Sequence, residues 1–283
     1  MEIIRAKVLG FCFGVRRTVE LAEKALQENQ GKKVYSLGPL IHNEEALKTL
    51  EEKGLQIAGE SEILKIQDNS VVIIRAHGVA PVVINKLKEK NCQIIDATCP
   101  RVKASQKLVE QYTSHNDYVI LTGDRNHEEV QGIAGYAGKN FIQIQNKEEA
   151  EQLNLQQLES ASAILLSQTT YSNKEFADIE AFFKSRIKNI TVFNTICPAT
   201  KERQDSLKEL CSQVDGVLVV GGQNSSNTKR LYQTARENCK YAAHIQTEND
   251  IPEIFYKLNK IGITAGASTP DSIIDKVQRQ LQL

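Results

Sequence analysis

Three times along the chain, a short run rich in β-branched residues leads to a cysteine, after which the apolar spacing turns helical. QIIDAT precedes Cys99, ITVFNTI precedes Cys197 and EIIRAKVLGF precedes Cys12. Each run has strand composition. Beyond the cysteines, Val15, Val19, Ala22 and Leu26, then Val102, Leu108, Val109 and Tyr112, then Leu207, Leu210, Cys211 and Val214 recur at helical intervals. Each helix pattern runs into an apolar strand (KVYSL, DYVILT, DGVLVV) and a Gly-containing polar loop at 38–44, 123–129 or 221–227. A helix, a short strand and a further helix follow. A second buried-type strand (SVVIIRA, SAILLS, KIGITA) then ends in another polar loop at 77–79, 168–172 or 266–270, and a helix closes the unit.

Strands alternating with helices specify βαβ units and parallel sheets. The three cysteines lie 87 and 98 residues apart, close to the smaller end of domain size. The expected fold is α/β, with three related domains of small, mostly parallel sheets around a pseudo-threefold axis. The expected boundaries are 1–96, 97–194 and 195–283, with Cys12, Cys99 and Cys197 in turn. A chain of 283 residues is long enough to give each domain a core.

In parallel α/β sheets, ligands bind beyond the carboxyl ends of the strands. Each unit puts a cysteine and two polar loops there. Pro100 and Pro198 follow Cys99 and Cys197, and proline favours the first helical position, which makes each cysteine an N-cap. The helix N-terminus favours a thiolate. Gly14 gives the Cys12 loop comparable freedom. The other three cysteines are poorly placed for the same centre. Cys211 lies about 21 Å along a helix from Cys197, Cys92 lies about 23 Å of extended chain before Cys99, and Cys239 precedes a short strand. All three read as core residues. Three converging thiols suit an iron–sulfur cluster with one open iron, a catalytic zinc site, or no metal at all, and spacing alone leaves the three open.

Three of the five histidines, His42, His77 and His127, fall in the polar loops, whereas His115 and His244 do not. The third unit offers Asn224, Ser225, Ser226, Asn227, Ser268 and Thr269 instead. Imidazole, hydroxyl and amide donors, with backbone N–H groups at helix starts, can surround phosphate oxygens. The same Ser, Thr and Asn residues are also ordinary helix caps. No GxxxxGKS/T pattern is present, which argues against nucleoside triphosphates. Glu129 sits in one of these loops, where burial and a neighbouring anion would raise its pKa and make it a proton donor. Glu128 is the competing carboxylate.

Lysine plus arginine and aspartate plus glutamate number 35 each, so no basic surplus points to nucleic acid or an acidic membrane. No apolar run reaches membrane-spanning length, and MEIIRAKVLG lacks a signal-peptide core. A soluble cytoplasmic protein without a transit peptide is expected.

Taken together, GFCFGVRR (10–17), GPLIHN (38–43), RAHGV (75–79), DATCPRV (96–102), HEEVQG (127–132), SQTT (167–170), NTIC (194–197) with RQ (203–204), NSSNTKRL (224–231) and TAGASTP (264–270) resemble the LytB family of 4-hydroxy-3-methylbut-2-enyl diphosphate reductases. The resemblance spans essentially the whole chain. It implies three α/β domains around a 4Fe–4S cluster bound by Cys12, Cys99 and Cys197. It also implies diphosphate contacts from His42, His77, His127, Ser225, Asn227 and Ser268, with Ser226 beside them. Glu129 is similar to the family's proton donor, and Thr169 to the residue that binds the substrate hydroxyl and relays that proton. The implied reaction is reductive dehydroxylation of the allylic diphosphate to isopentenyl and dimethylallyl diphosphates, with ferredoxin or flavodoxin as electron donor. Glu128 stands where the family commonly has Pro, and Gln223 where it often has Lys. A non-catalytic iron–sulfur carrier, a redox-neutral hydratase and a zinc hydrolase are the rival readings.

Overall fold

The computed structural model describes residues 1–158 and 161–283. The first pass of the repeat is β1 (Glu2–Arg5), Cys12, α1 (Phe13–Glu28), β2 (Val34–Leu37), α2 (Glu44–Glu52), β3 (Leu55–Ala58), β4 (Val71–Ile74) and α3 (Pro81–Glu89). The second is β5 (Gln93–Asp96), Cys99, α4 (Pro100–Ser114), β6 (Tyr118–Thr122), α5 (Glu128–Ala134), β7 (Phe141–Ile144), α6 (Lys147–Glu151), β8 (Ser162–Ser167) and α7 (Asn173–Lys184). The third is β9 (Asn189–Val192), Cys197, α8 (Pro198–Cys211), β10 (Gly216–Val220), α9 (Ser226–Asn238), β11 (Tyr241–Ile245), β12 (Lys260–Ala265) and α10 (Asp271–Leu281). The expected order of strands, cysteines, loops and helices is present. Where a helix was expected before β4 and before β12, the chain forms only 3-10 turns, Glu60–Lys65 and Glu253–Lys257. Extended residues bound each turn, Gly59 and Ile66 for ESEILK and Pro252 and Leu258 for EIFYK, so neither run continues into an α-helical ladder.

The strands form three four-stranded sheets, ordered β3-β2-β4-β5, β7-β6-β8-β9 and β1-β12-β10-β11. Every strand pair with a described register is parallel. The inner strands VVII, AILLS and VLVV are buried along their length, as expected of strands covered by helices on both faces. The first two sheets draw all their strands from residues 1–96 and 97–194. The third joins β10–β12 to β1, taken from the other end of the chain: Glu2 pairs with Lys260 and Arg5 with Ile263. The 1–96 stretch therefore does not form one sheet by itself. The strand before each cysteine pairs with the strand that closes the preceding pass, and for Cys12 that strand is β12. EIIRAKVLGF also forms a shorter strand than its composition suggests. β1 stops at Arg5, Val8 N–H donates to Ser206 Oγ at 3.1 Å, and Gly10 turns the chain at φ +74°.

Residue contacts divide the chain into two compact units. One comprises Met1–Leu26, Pro39–Leu55 and Pro198–Leu283, and the other Gln27–Gly38 and Gln56–Cys197. The first unit holds the β1-β12-β10-β11 sheet, whose core includes Leu218, Val220, Ile263 and Ile274 on one side and Leu207, Val219 and Leu231 on the other. The second unit holds the other two sheets, apart from the first residue of β3. Leu37, Val72 and Leu87 sit in one of its cores, and Ile120, Leu165, Phe176 and Phe183 in another. Among the described residues no helix is long and apolar enough to cross a membrane.

Candidate active site

The three strand-end cysteines share a backbone device. Cys12 N–H donates to Ala267 O at 3.1 Å, Cys99 N–H to Ala76 O at 2.9 Å and Cys197 N–H to Thr169 O at 2.8 Å. In each case the acceptor lies in the segment that follows the neighbouring strand, so strand pairing carries the cysteine to that segment. Cys99 is the N-cap of α4, with Pro100 as its first helical residue, and its thiol makes no capping hydrogen bond to the helix. The other cysteines are placed differently. Cys211 is packed among Leu207, Leu210 and Val217, and burial, with Cys239 adding to it, pushes its thiol up to about 12. Cys92 Sγ lies 3.6 Å from Ser70 Oγ, and Cys239 Sγ lies 3.8 Å from Val214 O. A thiol that resists ionisation is a poor metal ligand, which agrees with the core role expected of Cys211.

In the first unit, polar groups gather at the carboxyl ends of β10 and β12. Ser225 caps α9, accepting from Thr228 N–H at 3.3 Å, and Ser226 and Asn227 are the helix's first two residues. Ser268, after β12, donates its hydroxyl to His42 O at 3.1 Å. A Cβ on Gly222 would stand 2.5 Å from the same carbonyl, so the His42 loop approaches the β10 loop more closely than any side chain would permit. Asn43 then caps α2, accepting from Ala46 N–H at 3.0 Å. Asn227 Nδ2 is buried with no hydrogen-bond partner among the described residues. A buried donor left so is costly unless something accepts from it, and an anion at the start of α9 would do so. Sequence reasoning put His244 outside the site. It lies on β11, where its Nε2 sits 2.9 Å from Gly221 O and braces the β10 loop.

In the second unit, the ends of β4, β6 and β8 carry ionisable groups. His127 caps α5, and its Nδ1 accepts from Glu129 N–H at 3.1 Å. That contact leaves the ring hydrogen of a neutral His127 on Nε2, as a donor. His77, after β4, faces it edge-on with ring centroids 5.2 Å apart. Glu129 is 1 % exposed. Thr169 N–H donates to its Oε1 at 2.6 Å and Thr169 Oγ to its Oε2 at 2.8 Å. Burial holds the Glu129 carboxyl above the usual carboxylate range, against the opposing pull of the two Thr169 bonds and of His77. Burial thus favours the protonated carboxyl, and Thr169 Oγ lies within hydrogen-bond reach of it. Gln168, which the sequence did not single out as a working residue, ties these loops together. Its Oε1 accepts from Asp124 N–H at 3.1 Å, and its Nε2 donates to Thr170 Oγ at 2.9 Å. Arg75 was also missed. It is 4 % exposed, and its guanidinium donates to Leu37 O at 2.9 Å and to Glu60 Oε1 at 2.7 Å. It opens the RAHGV stretch and ends the buried run VVII, but the sequence reading gave it no role.

A family model described as LytB protein matches residues 3–282. The chain is 45% identical to the 4-hydroxy-3-methylbut-2-enyl diphosphate reductase of Treponema denticola, over 99% of each chain. It is 41% identical to the reductase of that name from Caldanaerobacter subterraneus subsp. tengcongensis, over 100% of this chain and 97% of the other. Among solved structures, one described as (E)-4-hydroxy-3-methyl-but-2-enyl diphosphate reductase, the terminal enzyme of the non-mevalonate pathway, superimposes with a TM-score of 0.75. It is 37% identical, covering 100% of this chain and 99% of that one. The E-1-hydroxy-2-methyl-but-2-enyl-4-diphosphate reductase of Plasmodium falciparum gives a TM-score of 0.92 at 29% identity, covering 100% of this chain and 88% of that one.

Proposed function

The chain belongs to the LytB family, and from that premise we propose how its residues divide the work of the reaction. The protein is a 4-hydroxy-3-methylbut-2-enyl diphosphate reductase, the terminal enzyme of the non-mevalonate pathway. It replaces the substrate's allylic hydroxyl by hydrogen. Two electrons and two protons enter and one water leaves, giving isopentenyl and dimethylallyl diphosphates.

The observation that carries the mechanistic reading is the Glu129–Thr169 pair, a buried carboxyl with raised pKa in direct contact with a threonine hydroxyl. With Glu129 protonated, Oε2–H donates to Thr169 Oγ, and the threonine O–H turns to the substrate hydroxyl. As the C–O bond breaks, the proton passes from Glu129 through Thr169 to the departing oxygen. A carboxyl whose pKa is raised by burial holds its proton more readily, which suits that step. Thr169 N–H stays on Oε1 throughout and keeps the carboxyl aligned.

In the second unit, His127 presents Nε2–H to a diphosphate oxygen, with His77 beside it. In the first unit, His42, Ser225, Ser226, Asn227 and Ser268 serve the diphosphate through amide, hydroxyl and ring donors. Binding at these residues fixes the substrate's orientation, which is the protein's main contribution when a cofactor carries the redox chemistry. Cys12, Cys99 and Cys197 are the thiols assigned to the cofactor, each after a strand and held by its own N–H to the loop beyond the neighbouring strand. That set fits a 4Fe–4S cluster with one iron not held by protein, whereas structural zinc prefers four protein ligands. Bound there, the cluster supplies the two electrons and Lewis acidity toward the hydroxyl. The electrons come from a small redox protein of the ferredoxin or flavodoxin type.

The test is an anaerobic preparation assayed with reduced viologen dye. Dye oxidation that depends on the hydroxylated allylic diphosphate, and that falls at least about a hundredfold in Cys99→Ser and Cys197→Ser together with their iron content, is the expected result. Turnover of either variant at the parent rate would sink the reading.

A further inference from the structure

Glu128 opens α5 one residue before Glu129, yet the two carboxylates serve different partners. Adjacent helix positions do not face the same way. Glu129 turns to Thr169, whereas Glu128 Oε2 lies 3.1 Å from His77 Nδ1 and 3.3 Å from Arg75 Nε. The arginine is a fixed cation rather than a mobile one, since Leu37 O and Glu60 already hold its other nitrogens. A Cβ on Gly38 would come 2.3 Å from Arg75 Nη1, so the guanidinium lies directly on the backbone there.

The spacing between Glu128 and His77 is likewise set by main chain. A Cβ on Gly132 would come 3.2 Å from Gly78 O, and one on Gly135 would come 2.2 Å from Ala80 Cβ. Helix α5 and the His77 loop are therefore packed backbone against backbone, and Glu128 meets the imidazole across that seam.

A carboxylate paired with a guanidinium only accepts, so His77 Nδ1 carries the hydrogen and the imidazole would meet the diphosphate through Nε2. His127 has the opposite arrangement: its Nδ1 accepts from Glu129 N–H, so a neutral ring carries its hydrogen on Nε2. We infer that Glu128 is a positioning residue for diphosphate binding: it grips His77 through Nδ1, with Arg75 behind it, and so fixes the ring that meets the anion. This rests on the assignment of His77 to the diphosphate. Glu128 itself touches neither the substrate nor the proton path.

The test uses the cluster-loaded enzyme and two variants of similar volume, Glu128→Gln, whose amide oxygen still accepts from Nδ1–H, and Glu128→Met, which accepts nothing. KM for the substrate, kcat, and the inhibition constant of inorganic pyrophosphate are measured for each. Loss of a hydrogen bond to a partly buried ring predicts that Glu128→Met raises KM and the pyrophosphate constant about tenfold, leaves kcat within about twofold, and that Glu128→Gln stays within about threefold of the parent. In a His77→Ala background, Glu128→Met should add nothing, since the two residues act as one unit. A fall in kcat at unchanged KM, equal losses in Gln and Met, or full additivity with His77→Ala would overturn the inference. If His77→Ala itself leaves KM and pyrophosphate inhibition unchanged, the histidine assignment fails instead. If Glu128→Met does not fold, Glu128→Gln against the parent and against His77→Ala still decides, because a Gln variant with a tenfold higher KM contradicts the accepting role.

Discussion

The loops beyond β10 and β12 and those beyond β6 and β8 occupy equivalent places in equivalent sheets, but they carry different chemistry. Residues 221–225 and 266–270 contain no ionisable side chain and offer hydroxyls, amides and backbone N–H groups. The loops of the second unit bring a buried carboxyl into contact with a threonine hydroxyl, and a histidine ring accepts from the backbone N–H of that same glutamate. Shared topology thus specifies where functional groups stand and not what they do. A neutral donor set can hold an anion but cannot move a proton. A carboxyl whose pKa is raised by burial can move one. In the proposed mechanism the first unit's loops bind and the second unit's loops also react.

The largest expected effect follows from that contrast. Glu129→Gln keeps the shape and loses the exchangeable proton, so kcat should fall about a thousandfold, the range typical of a lost general acid. Thr169→Val, which removes Oγ and leaves the backbone N–H on Glu129, should lower kcat about a hundredfold, and Thr169→Ser should recover most of it. Anaerobic dye oxidation at saturating substrate reads both. A kcat loss of similar size from Asn227→Ala would erase the distinction between the two sets of loops. The expected result is instead a KM raised about tenfold at nearly constant kcat. Ser268→Ala should cost less, about threefold in KM, because the serine hydroxyl already donates to His42 O.

A smaller effect tests burial directly. The folded-state pKa of Glu129 is raised above that of the unfolded chain. The parent therefore matches Glu129→Gln at pH values below the ordinary carboxylate range and loses stability relative to it as pH rises through the raised value. The melting temperature of Glu129→Gln minus that of the parent should climb by a few degrees over that window and then level off. A difference that shrinks with rising pH would show that the carboxylate is favoured in the fold.

Much of this could be read from sequence because the signals are local. Runs such as VVII and VLVV announce buried parallel strands, Pro100 and Pro198 mark helix starts, and the repeated cysteine after a strand points to the loops worth examining. The parallel pairing of β1 with β12 was not legible, since nothing in EIIR distinguishes a partner four residues away from one near the other end of the chain. The Arg75–Glu128–His77 arrangement escaped for a similar reason. It depends on glycines at 132 and 135 that let two backbones touch, and on an arginine whose partners come from three separate segments. Glu129 and Thr169 are 40 positions apart, and their meeting was implied only by resemblance to the family.

The separation of binding from proton transfer is measured most directly by anaerobic calorimetric titration of cluster-loaded Glu129→Gln with the allylic diphosphate, without reductant. The mechanism predicts a dissociation constant within about threefold of the parent's, with product formed about a thousandfold more slowly when reductant is then added. Binding weakened by more than about tenfold, or product appearing at the parent rate, would contradict it.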